Sequence, residues 1–544
     1  MSNLSKIFSD SKVAIPNKSG FDMSHLNSGT LTTGTLVPAL CEPLLPGDKV
    51  SLGALAEINF APFATQPYGK IDFCMEAFFV PYRTIWGGWQ NFITMPANNP
   101  FGTDEVRPTV LPSLSFTNAT TGTITTPSDK FGRGSLADYL GLMGSANQIG
   151  AQGSISVNAL PFLAYHKIYD DWYRNSTIQK PVFSKKVNET GTPSTMPWTP
   201  DAKSFGAAYT NNGYAWNNTL LQDGVTLFDL RQRNWGKDYF TTSAFYPQAS
   251  GDILGSTVVA NVDADAGEGK FSIGQLRQAN VLQKWLERNN LCGARYVEQI
   301  RGTYGVTPSD AALQRPIFLG SSRTPIYTKG VATTSETADT SKNNNPFAGQ
   351  VGSKAGSALG VSSSSLVGEF EAKEHGFIMV LVSVVPHANY SSGMRRYLFE
   401  SQVGDIPNPL LQGLGEQAVY QGELKVGKTV DMKKTFGYQP QYSHYKYHCD
   451  EVHGELVDGG TLSSFMVQRS FDAAPELGSQ FLQISKNALD QITSVDANVS
   501  KMIAWYNIGF EFKKISTLSE YTIPTLGDEH NTHIESIPNR GIQL

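Results

Sequence analysis

Cysteine is scarce in this chain, with four residues among 544. They stand far apart, at Cys41, Cys74, Cys292 and Cys449, and no CxxC pair occurs. Secreted domains held by disulfides carry cysteine at a much higher density, and zinc sites usually need closely spaced pairs. We therefore expect free, reduced thiols and a protein that folds in a cytoplasm.

Long apolar runs are also missing. No stretch reaches the roughly 18 consecutive apolar residues of a membrane-spanning helix, so we expect no membrane insertion. Residues 1–20 are polar, with lysines at positions 6, 12 and 18, and lack the apolar core that a signal peptide requires.

An excess of positive charge is absent as well. The 43 lysines and arginines stand against 48 aspartates and glutamates, which gives a formal net charge of −5. This balance excludes a coat that neutralises nucleic acid with arginine-rich tails. Apolar residues make up 40% of the chain, enough for a substantial core, while 51 glycines and 29 prolines indicate many turns and loops.

Signatures of catalysis are missing from the sequence. Neither GxSxG nor HExxH occurs, and GLGEQA at 413–418 does not follow the apolar strand that a dinucleotide fold requires. Histidine and cysteine cluster at His444, His448, Cys449 and His453. Neighbouring tyrosines favour a strand there, on which residues four apart lie about 13 Å from each other, too far for one metal ion. We predict no catalytic, cofactor or metal site, and no enzyme.

Apolar residues at every second position predict β-strands near both ends of the chain. Segments 50–60, 71–79 and 502–512 alternate in this way, as expected of strands with one buried face. Segment 377–385, FIMVLVSVV, is apolar on both faces and belongs in the middle of a sandwich or at a subunit contact. Together they predict a mainly β protein, an antiparallel β-sandwich with long connections and a few short helices, for which a jelly roll is one solution.

Residues 276–326 combine two helical patterns with a proline-punctuated segment. The first pattern has an apolar stripe that ends near Gly293, and the second places Tyr296, Ile300 and Tyr304 four apart before Gly305. Prolines at positions 308, 316 and 325 then exclude a continuing helix or a central strand.

This segment resembles the major capsid protein of the Microviridae, small single-stranded DNA bacteriophages, and within them the gokushovirus branch. The residues that carry the resemblance are Leu286-Glu287-Arg288, Gly293, Arg295-Tyr296, Ile300-Arg301, Gly305-Val306-Thr307 and Leu313-Gln314-Arg315-Pro316. Matching blocks elsewhere extend it over most of the chain: Phe21-Asp22-Met23-Ser24-His25, Leu45-Pro46-Gly47-Asp48, Phe78-Phe79-Val80-Pro81-Tyr82-Arg83, Trp172-Tyr173-Arg174-Asn175 and Leu414-Gly415-Glu416-Gln417-Ala418-Val419. Segment 528–544 has no match that informs host recognition.

The resemblance implies an eight-stranded viral jelly-roll β-sandwich with long loop insertions. We expect residues 1–30 to form an N-terminal arm and residues 31–544 a single jelly-roll capsid domain. Segments 183–226 and 328–366 lack a core pattern, so we expect both to be insertions. We assign the first to the surface protrusion of the family, and the second is an extended insertion rich in Ser, Thr, Gly and Asn.

The resemblance also implies a function. The chain is expected to assemble with itself into a T=1 icosahedral shell of sixty copies that encloses circular single-stranded DNA. The implied partners are an internal scaffolding protein, a DNA pilot protein, a small basic DNA-binding protein and a host-surface receptor. The protein is then expected in the virion, and in the host cytoplasm during assembly.

Two groups of residues are candidates for intermolecular contacts. Arg231, Arg233 and Lys237 stand beside Trp235, and cations with interleaved aromatic rings hold phosphates and stack on bases without reading sequence. The alternative for this cluster is a buried subunit contact in which the arginines pair with carboxylates. Candidate residues of the subunit interface are Trp86, Trp89, Arg295, Tyr296, Arg315 and Phe377. For the two tryptophans an ordinary core position is an equal alternative.

Two other classes of function are open at this point. Loops rich in tyrosine and tryptophan also suit a carbohydrate-binding β-sandwich protein, secreted or at a surface. A metal-dependent hydrolase on a jelly-roll scaffold would rest on the histidines between His444 and His453 alone.

Overall fold

The computed structural model describes residues 18–61, 63–86, 89–94, 111–117, 134–142, 154–183, 209–210, 213–216, 227–245, 309–332, 354–428, 430–493 and 503–518, with single positions at 223, 225 and between 277 and 307. Its strands are β1 (Ser19–Asp22), β2 (His25–Leu31), β3 (Val37–Leu44), β4 (Lys49–Phe60), β5 (Ile71–Pro81), β6 (Ser113–Thr117), β7 (Ser154–Asn158), β8 (Tyr209–Thr210), β9 (Gly213–Trp216), β10 (Ile317–Pro325), β11 (Tyr327–Ala332), β12 (Lys354–Glu371), β13 (Gly376–Pro386), β14 (Asn389–Tyr390), β15 (Glu416–Tyr420), β16 (Thr435–Pro440), β17 (Asp450–Glu451) and β18 (Ala504–Ser516).

The helices within the described residues are short. They are α1 (Tyr82–Ile85), α2 (Trp89–Thr94), α3 (Leu136–Tyr139), α4 (Leu160–Ile168), α5 (Ser443–Lys446) and α6 (Ser479–Leu482), with a π-helical turn at Tyr169–Tyr173 and several 3-10 turns. Described positions in 277–284 and 298–304 are helical, which confirms the two helices expected in that segment. None of the described helices has the length and apolar character needed to cross a membrane.

Two antiparallel sheets pack face to face and confirm the predicted β-sandwich. Sheet A has the strand order β1-β18-β4-β12-β11, with β2 also paired to β18, and sheet B has the order β10-β5-β13-β3. The successive strands β3, β4 and β5 cross between the sheets, as do β12, β13 and β18. Such crossings are typical of a jelly roll, although the sheets contain six and four strands and not four each.

The central strands of sheet B, β5 and β13, are covered on both faces. Along β13, alternate residues from Ile378 to Val384 pack in the core between the sheets, whereas Phe377, Met379 and Leu381 pack in a second core on the other side. Helix α4 supplies much of that second core. The continuous apolar run 377–385 thus has no solvent-exposed face, as its sequence predicts.

Sheet A has one face in the core. The even-numbered residues of β4 and β18 are buried up to Phe60 and Phe512, respectively, while the residues between them are partly or fully exposed. This confirms the alternation predicted for segments 50–60 and 502–512. Met502, the first residue of the second of these segments, lies outside the described residues. The expectation for 71–79 was too simple, because β5 lies in sheet B and is buried on both faces.

Strands of sheet A extend into two segments predicted to be an arm and an insertion. Residues 19–31, expected in an N-terminal arm, form β1 and β2 and pair with β18, while residues 1–17 lie outside the described part. The predicted insertion 328–366 contains most of β11 and much of β12, and Ser362–Ser365 pair with Gly53–Ala56 of β4. Serine obscures the alternation of a strand, because its side chain gives little apolar signal on the buried face. Of segment 183–226, the structure describes little beyond β8 and β9, so the protrusion stays a prediction.

A close backbone approach joins the edges of the two sheets. Gly320 lies at a register shift between β10 and β5, and a Cβ atom built on it would stand 1.9 Å from the carbonyl oxygen of Leu366 in β12. Only glycine fits there, since that oxygen belongs to a backbone already held in sheet A.

We predict that Gly320→Ala lowers the free energy of unfolding by about 1–3 kcal/mol, because one strand must move to accommodate the methyl group. The matched control is Gly368→Ala in β12, where no atom lies within 4 Å of the new Cβ. Urea midpoints of the two purified variants provide the comparison, and equal midpoints would contradict this account of the contact.

Candidate interaction surfaces

Arg231, a candidate DNA contact, is buried within the subunit. Its side chain is 2% exposed, and its Nε donates to His166 Nδ1 at 2.8 Å. A terminal nitrogen forms an ion pair with Asp223, and the guanidinium lies 4.9 Å from the centre of the Tyr169 ring. This geometry favours the alternative interpretation, an arginine paired with a carboxylate, and Arg231 as a DNA contact stays a prediction.

Arg233 is likewise paired inside the subunit. Two of its nitrogens donate to the two carboxylate oxygens of Glu76 at 2.9 and 3.0 Å, and one also donates to Ser383 Oγ at 3.2 Å. Glu76 accepts a further hydrogen bond from the Tyr173 hydroxyl. Such a bidentate pair fixes the arginine, in the way the alternative interpretation expected, but to a carboxylate of its own chain.

Trp235 and Lys237 differ from each other in exposure. The Trp235 ring is buried next to Val385 and Ile484, and the Arg469 guanidinium lies 4.8 Å from its centre. Lys237 is exposed. Of the four residues in the predicted cluster, Lys237 alone presents its charge to solvent.

A cleft opens next to Lys237. A cavity of about 690 Å³ is lined by Lys237, Asp238, His387 and Tyr447, among others. A second cavity of about 550 Å³ adjoins it, and the two share Tyr239, Tyr447, His448 and Cys449 as walls. Lys237 and Lys446 are exposed at the first cavity, and the Tyr447 ring is also exposed. The cleft therefore combines cations with an accessible aromatic ring. From the sequence, the aromatic ring of this combination was expected to be Trp235.

The predicted strand around His444 and His448 is wrong. Tyr442 takes a left-handed backbone conformation with φ 62°, and Ser443–Lys446 then form α5, a single turn. The Ser443 hydroxyl donates to the Pro440 carbonyl oxygen at 2.7 Å, so local turn contacts outweigh the strand preference of the tyrosines.

The histidines of this segment lie near two carboxylates, Glu400 and Glu451. His444 Nε2 lies 3.3 Å from Glu400, while His448 and His453 lie 4.0 and 3.3 Å from Glu451. Arg395 also donates to both oxygens of Glu451. Among the residues that the structure describes, no three ligating side chains group together in a way that suits a metal ion.

The aromatic candidates for the subunit interface lie in the second core of the same chain. Trp86 and Phe377 are buried, and Trp89 is partly buried beside them. The Tyr82 ring lies 4.7 Å from both Trp89 and Phe377. For these three residues the structure favours the core alternative.

The remaining candidates differ in what the structure describes. Arg315 donates to Asp310 at 2.7 Å and its guanidinium lies 4.3 Å from the Trp172 ring, both within the subunit. Trp172 Nε1 in turn donates to the Pro316 carbonyl oxygen, which fixes the start of β10. Arg295 and Tyr296 lie outside the described residues.

His166 is a buried titratable group that holds Leu227 and Arg231 in place. Its Nδ1 accepts from Arg231, so its Nε2 carries the proton and donates to the Leu227 carbonyl oxygen at 2.8 Å. Burial, followed by the Arg231 charge, keeps the pKa of His166 well below its ordinary value of 6.5. The neutral imidazole is therefore part of the folded state.

We expect acid to destabilise the subunit through this residue. In the unfolded chain His166 binds a proton below about pH 6.5, whereas in the folded chain it stays neutral, so stability is lost as pH falls from 6.5 toward the folded pKa. The slope from one such group is at most about 1.4 kcal/mol per pH unit. Urea midpoints between pH 7 and 5 should fall less steeply for His166→Gln than for the wild type. His453→Gln, at an exposed site, serves as the control, and an unchanged slope in His166→Gln would refute the assignment.

Comparisons with known proteins agree with this architecture. A family model described as "Capsid protein (F protein)" matches residues 10–526. The capsid protein VP1 of Chlamydia phage 1 is 25% identical, over 95% of this chain and 97% of that protein. The VP1 capsid proteins of Bdellovibrio phage phiMH2K and Spiroplasma virus 4 are each 24% identical, over 93% and 88% of this chain. A match over residues 10–526, nearly the whole chain, establishes that this chain belongs to the phage F capsid protein family, as a structural protein of the virion.

Proposed function

We propose that sixty copies of this chain close into a T=1 icosahedral shell around circular single-stranded DNA. The observation that carries the proposal is the family match from residue 10 to 526, which spans both sheets of the sandwich from β1 to β18. We assign this sandwich, whose sheets contain six and four strands, to the jelly roll of viral shells, a fold with eight strands in its basic form. The chain then acts by packing against identical copies, with no catalytic turnover.

The charge of the subunit indicates that another protein neutralises much of the genome in the particle. A net charge of −5 does not neutralise a packaged genome, and Arg231 and Arg233 are already paired with carboxylates of their own chain. We therefore infer that a small basic DNA-binding protein supplies much of the positive charge. An internal scaffolding protein and a DNA pilot protein complete the inferred set of partners.

Local cationic groups remain available for the genome. Lys237 and Lys446 lie at the 690 Å³ cavity together with the exposed ring of Tyr447. A cation beside an accessible aromatic ring holds a phosphate and stacks on a base without sequence preference. Of the four residues predicted to contact DNA, we assign this role to Lys237. The other three, Arg231, Arg233 and Trp235, hold the surrounding structure in place.

The host is contacted by other parts of the chain. We infer that segment 183–226 forms the surface protrusion and meets a host-surface receptor. Assembly then takes place in the host cytoplasm, where the described cysteines Cys41, Cys74 and Cys449, none of them in a disulfide, would stay reduced.

Expression of the chain with its natural neighbouring proteins tests the shell directly. We expect uniform closed particles, and sixty copies of 59.3 kDa give a protein mass of about 3.6 MDa. Negative-stain microscopy and mass photometry measure both properties. Folded protein that stays monomeric with all neighbours present would contradict the shell, and binding of that monomer on a glycan array would favour the carbohydrate-binding alternative.

Two substitutions distinguish a residue that contacts the genome from a residue that stabilises the subunit. Lys237→Ala should leave the urea midpoint and particle yield unchanged but lower the DNA content per particle, because it removes an exposed cation. Arg233→Met should lower the free energy of unfolding, on the order of 3 kcal/mol, since Glu76 loses its partner in a largely buried pair.

The measurements are the absorbance ratio at 260 and 280 nm and the buoyant density of purified particles. Lys486→Ala, at another exposed lysine, is the matched control. Wild-type DNA content in Lys237→Ala particles would remove Lys237 from the genome contact.

A further inference from the structure

Residues 395–414 form a surface loop that exposes apolar side chains. Tyr397, Leu398, Val403, Ile406 and Leu410 are all exposed, with Val403 at 86% and Leu410 at 89%. Single exposed apolar residues are ordinary, but five within fourteen positions of one loop are not. Val403 and Leu410, which are almost fully exposed, would each gain roughly 1.5–3 kcal/mol from full burial, and the isolated subunit does not realise this stabilisation.

The base of the 395–414 loop is anchored firmly to the body of the subunit. Arg396 donates to the Ala418 carbonyl oxygen at 2.7 Å and to Glu423 at 3.0 Å, and its guanidinium lies 3.9 Å from the Tyr420 ring. Phe399 packs on the same Tyr420 ring at 5.6 Å. The loop therefore leaves the body at a fixed place and in a fixed direction.

The tip of the loop has a defined backbone as well. One Asp405 oxygen accepts from the amides of Ser401 and Gln402 at 2.9 and 3.0 Å, which closes a turn around Val403. The hydroxyl of Tyr442, a residue with a positive φ, donates to the Gly404 carbonyl oxygen at 3.2 Å. These contacts hold Val403 outward before any partner arrives.

The segment that follows is held in the same way. The Asn408 side chain accepts from the Leu410 amide at 2.9 Å, and its carbonyl oxygen accepts from the Leu411 amide at 3.0 Å. Proline at positions 407 and 409 restricts the backbone further. A loop ordered in this way loses little conformational entropy when it binds, which favours association.

We propose that the 395–414 loop is a docking element that packs its apolar tip against a second copy of this chain. The inference deepens the proposed function and rests on it, because it names a surface through which the copies of the shell meet. Within the 395–414 loop, Arg395 and Arg396 form ion pairs with Glu451 and Glu423. Residues 397–414, which carry the exposed apolar side chains, contain Glu400 and Asp405 but no lysine, arginine or histidine, so this part of the loop repels phosphate and is not a genome contact. A capsid subunit meets its own copies more often than any other protein, and an identical copy offers its complementary surface at every position around a symmetry axis.

The contact has a definite form. We expect the tip to meet a different part of the neighbouring copy, a heterologous contact that closes by rotation around a symmetry axis. Val403 and Leu410, the most exposed of the five apolar residues, are expected to contribute most of the binding energy.

Charge placed on the tip tests this contact. Val403→Asp and Leu410→Asp should fold with unchanged urea midpoints, because both side chains are already in solvent, yet lower the yield of closed particles at least tenfold. Leu26→Asp, at an exposed leucine of β2, is the matched control and should assemble as the wild type does. Normal particle yield from both tip variants, or an equal loss from Leu26→Asp, would overturn the docking role.

Photo-crosslinking then identifies the occupant. With p-benzoylphenylalanine at position 403 in assembled particles, we expect a product of about 119 kDa, twice the 59.3 kDa subunit, mapped by peptide mass. Crosslinks to another virion protein, to DNA or to nothing would overturn a second copy as the partner. Wild-type particles are the reference. If the wild-type chain forms no particles, both the proposed shell and this contact are overturned. If wild-type and tip-variant chains form particles in equal yield, the contact alone is overturned.

Discussion

Burial of the central strands of sheet B between two apolar layers is the constraint on which the rest of the subunit depends. β13 has no polar face, so it is stable only if sheet A covers one side and the α4 layer covers the other. The second layer in turn holds the 227–233 segment in place, through Leu227 and Phe228 in its core and His166 beneath Arg231. The cleft next to Lys237 begins directly after that segment.

A firmly packed core is expected in a protein that acts through contacts on its surface. The arginines expected to meet DNA instead connect elements of the chain that are far apart in sequence, such as Arg233 with Glu76 across 157 positions. Surface features attached to this body, the cleft and the 395–414 loop, then take positions that are the same in every copy. Identical geometry in each copy is what closed symmetry requires.

The sequence predicts the parts of the fold in which one local pattern dominates. Alternation identified β4 and β18, and the unbroken apolar run identified β13 as a central strand. The serine-rich half of β12 escaped prediction, because small polar side chains hide the two-residue period. The pairing of Arg231 with Asp223, and of Arg233 with Glu76, was not predictable in detail, because a local sequence pattern gives no information about the partner of a charge. The family itself was predicted correctly from ordered blocks of matching residues, and the family match bears it out.

The pairing of β18 with β4 also governs the order in which the chain can fold. Ala56 in the middle of β4 is paired with Ile508, 452 residues later, and β1 and β2 attach to the same late strand. Sheet B is complete once the ribosome has made Pro386, but sheet A must wait for almost the entire polypeptide. Contacts of such large sequence separation make folding slow and largely post-translational. Until β18 is made, the edge of β4 that it covers stays open, which exposes the nascent chain to aggregation with its neighbours on the same polysome.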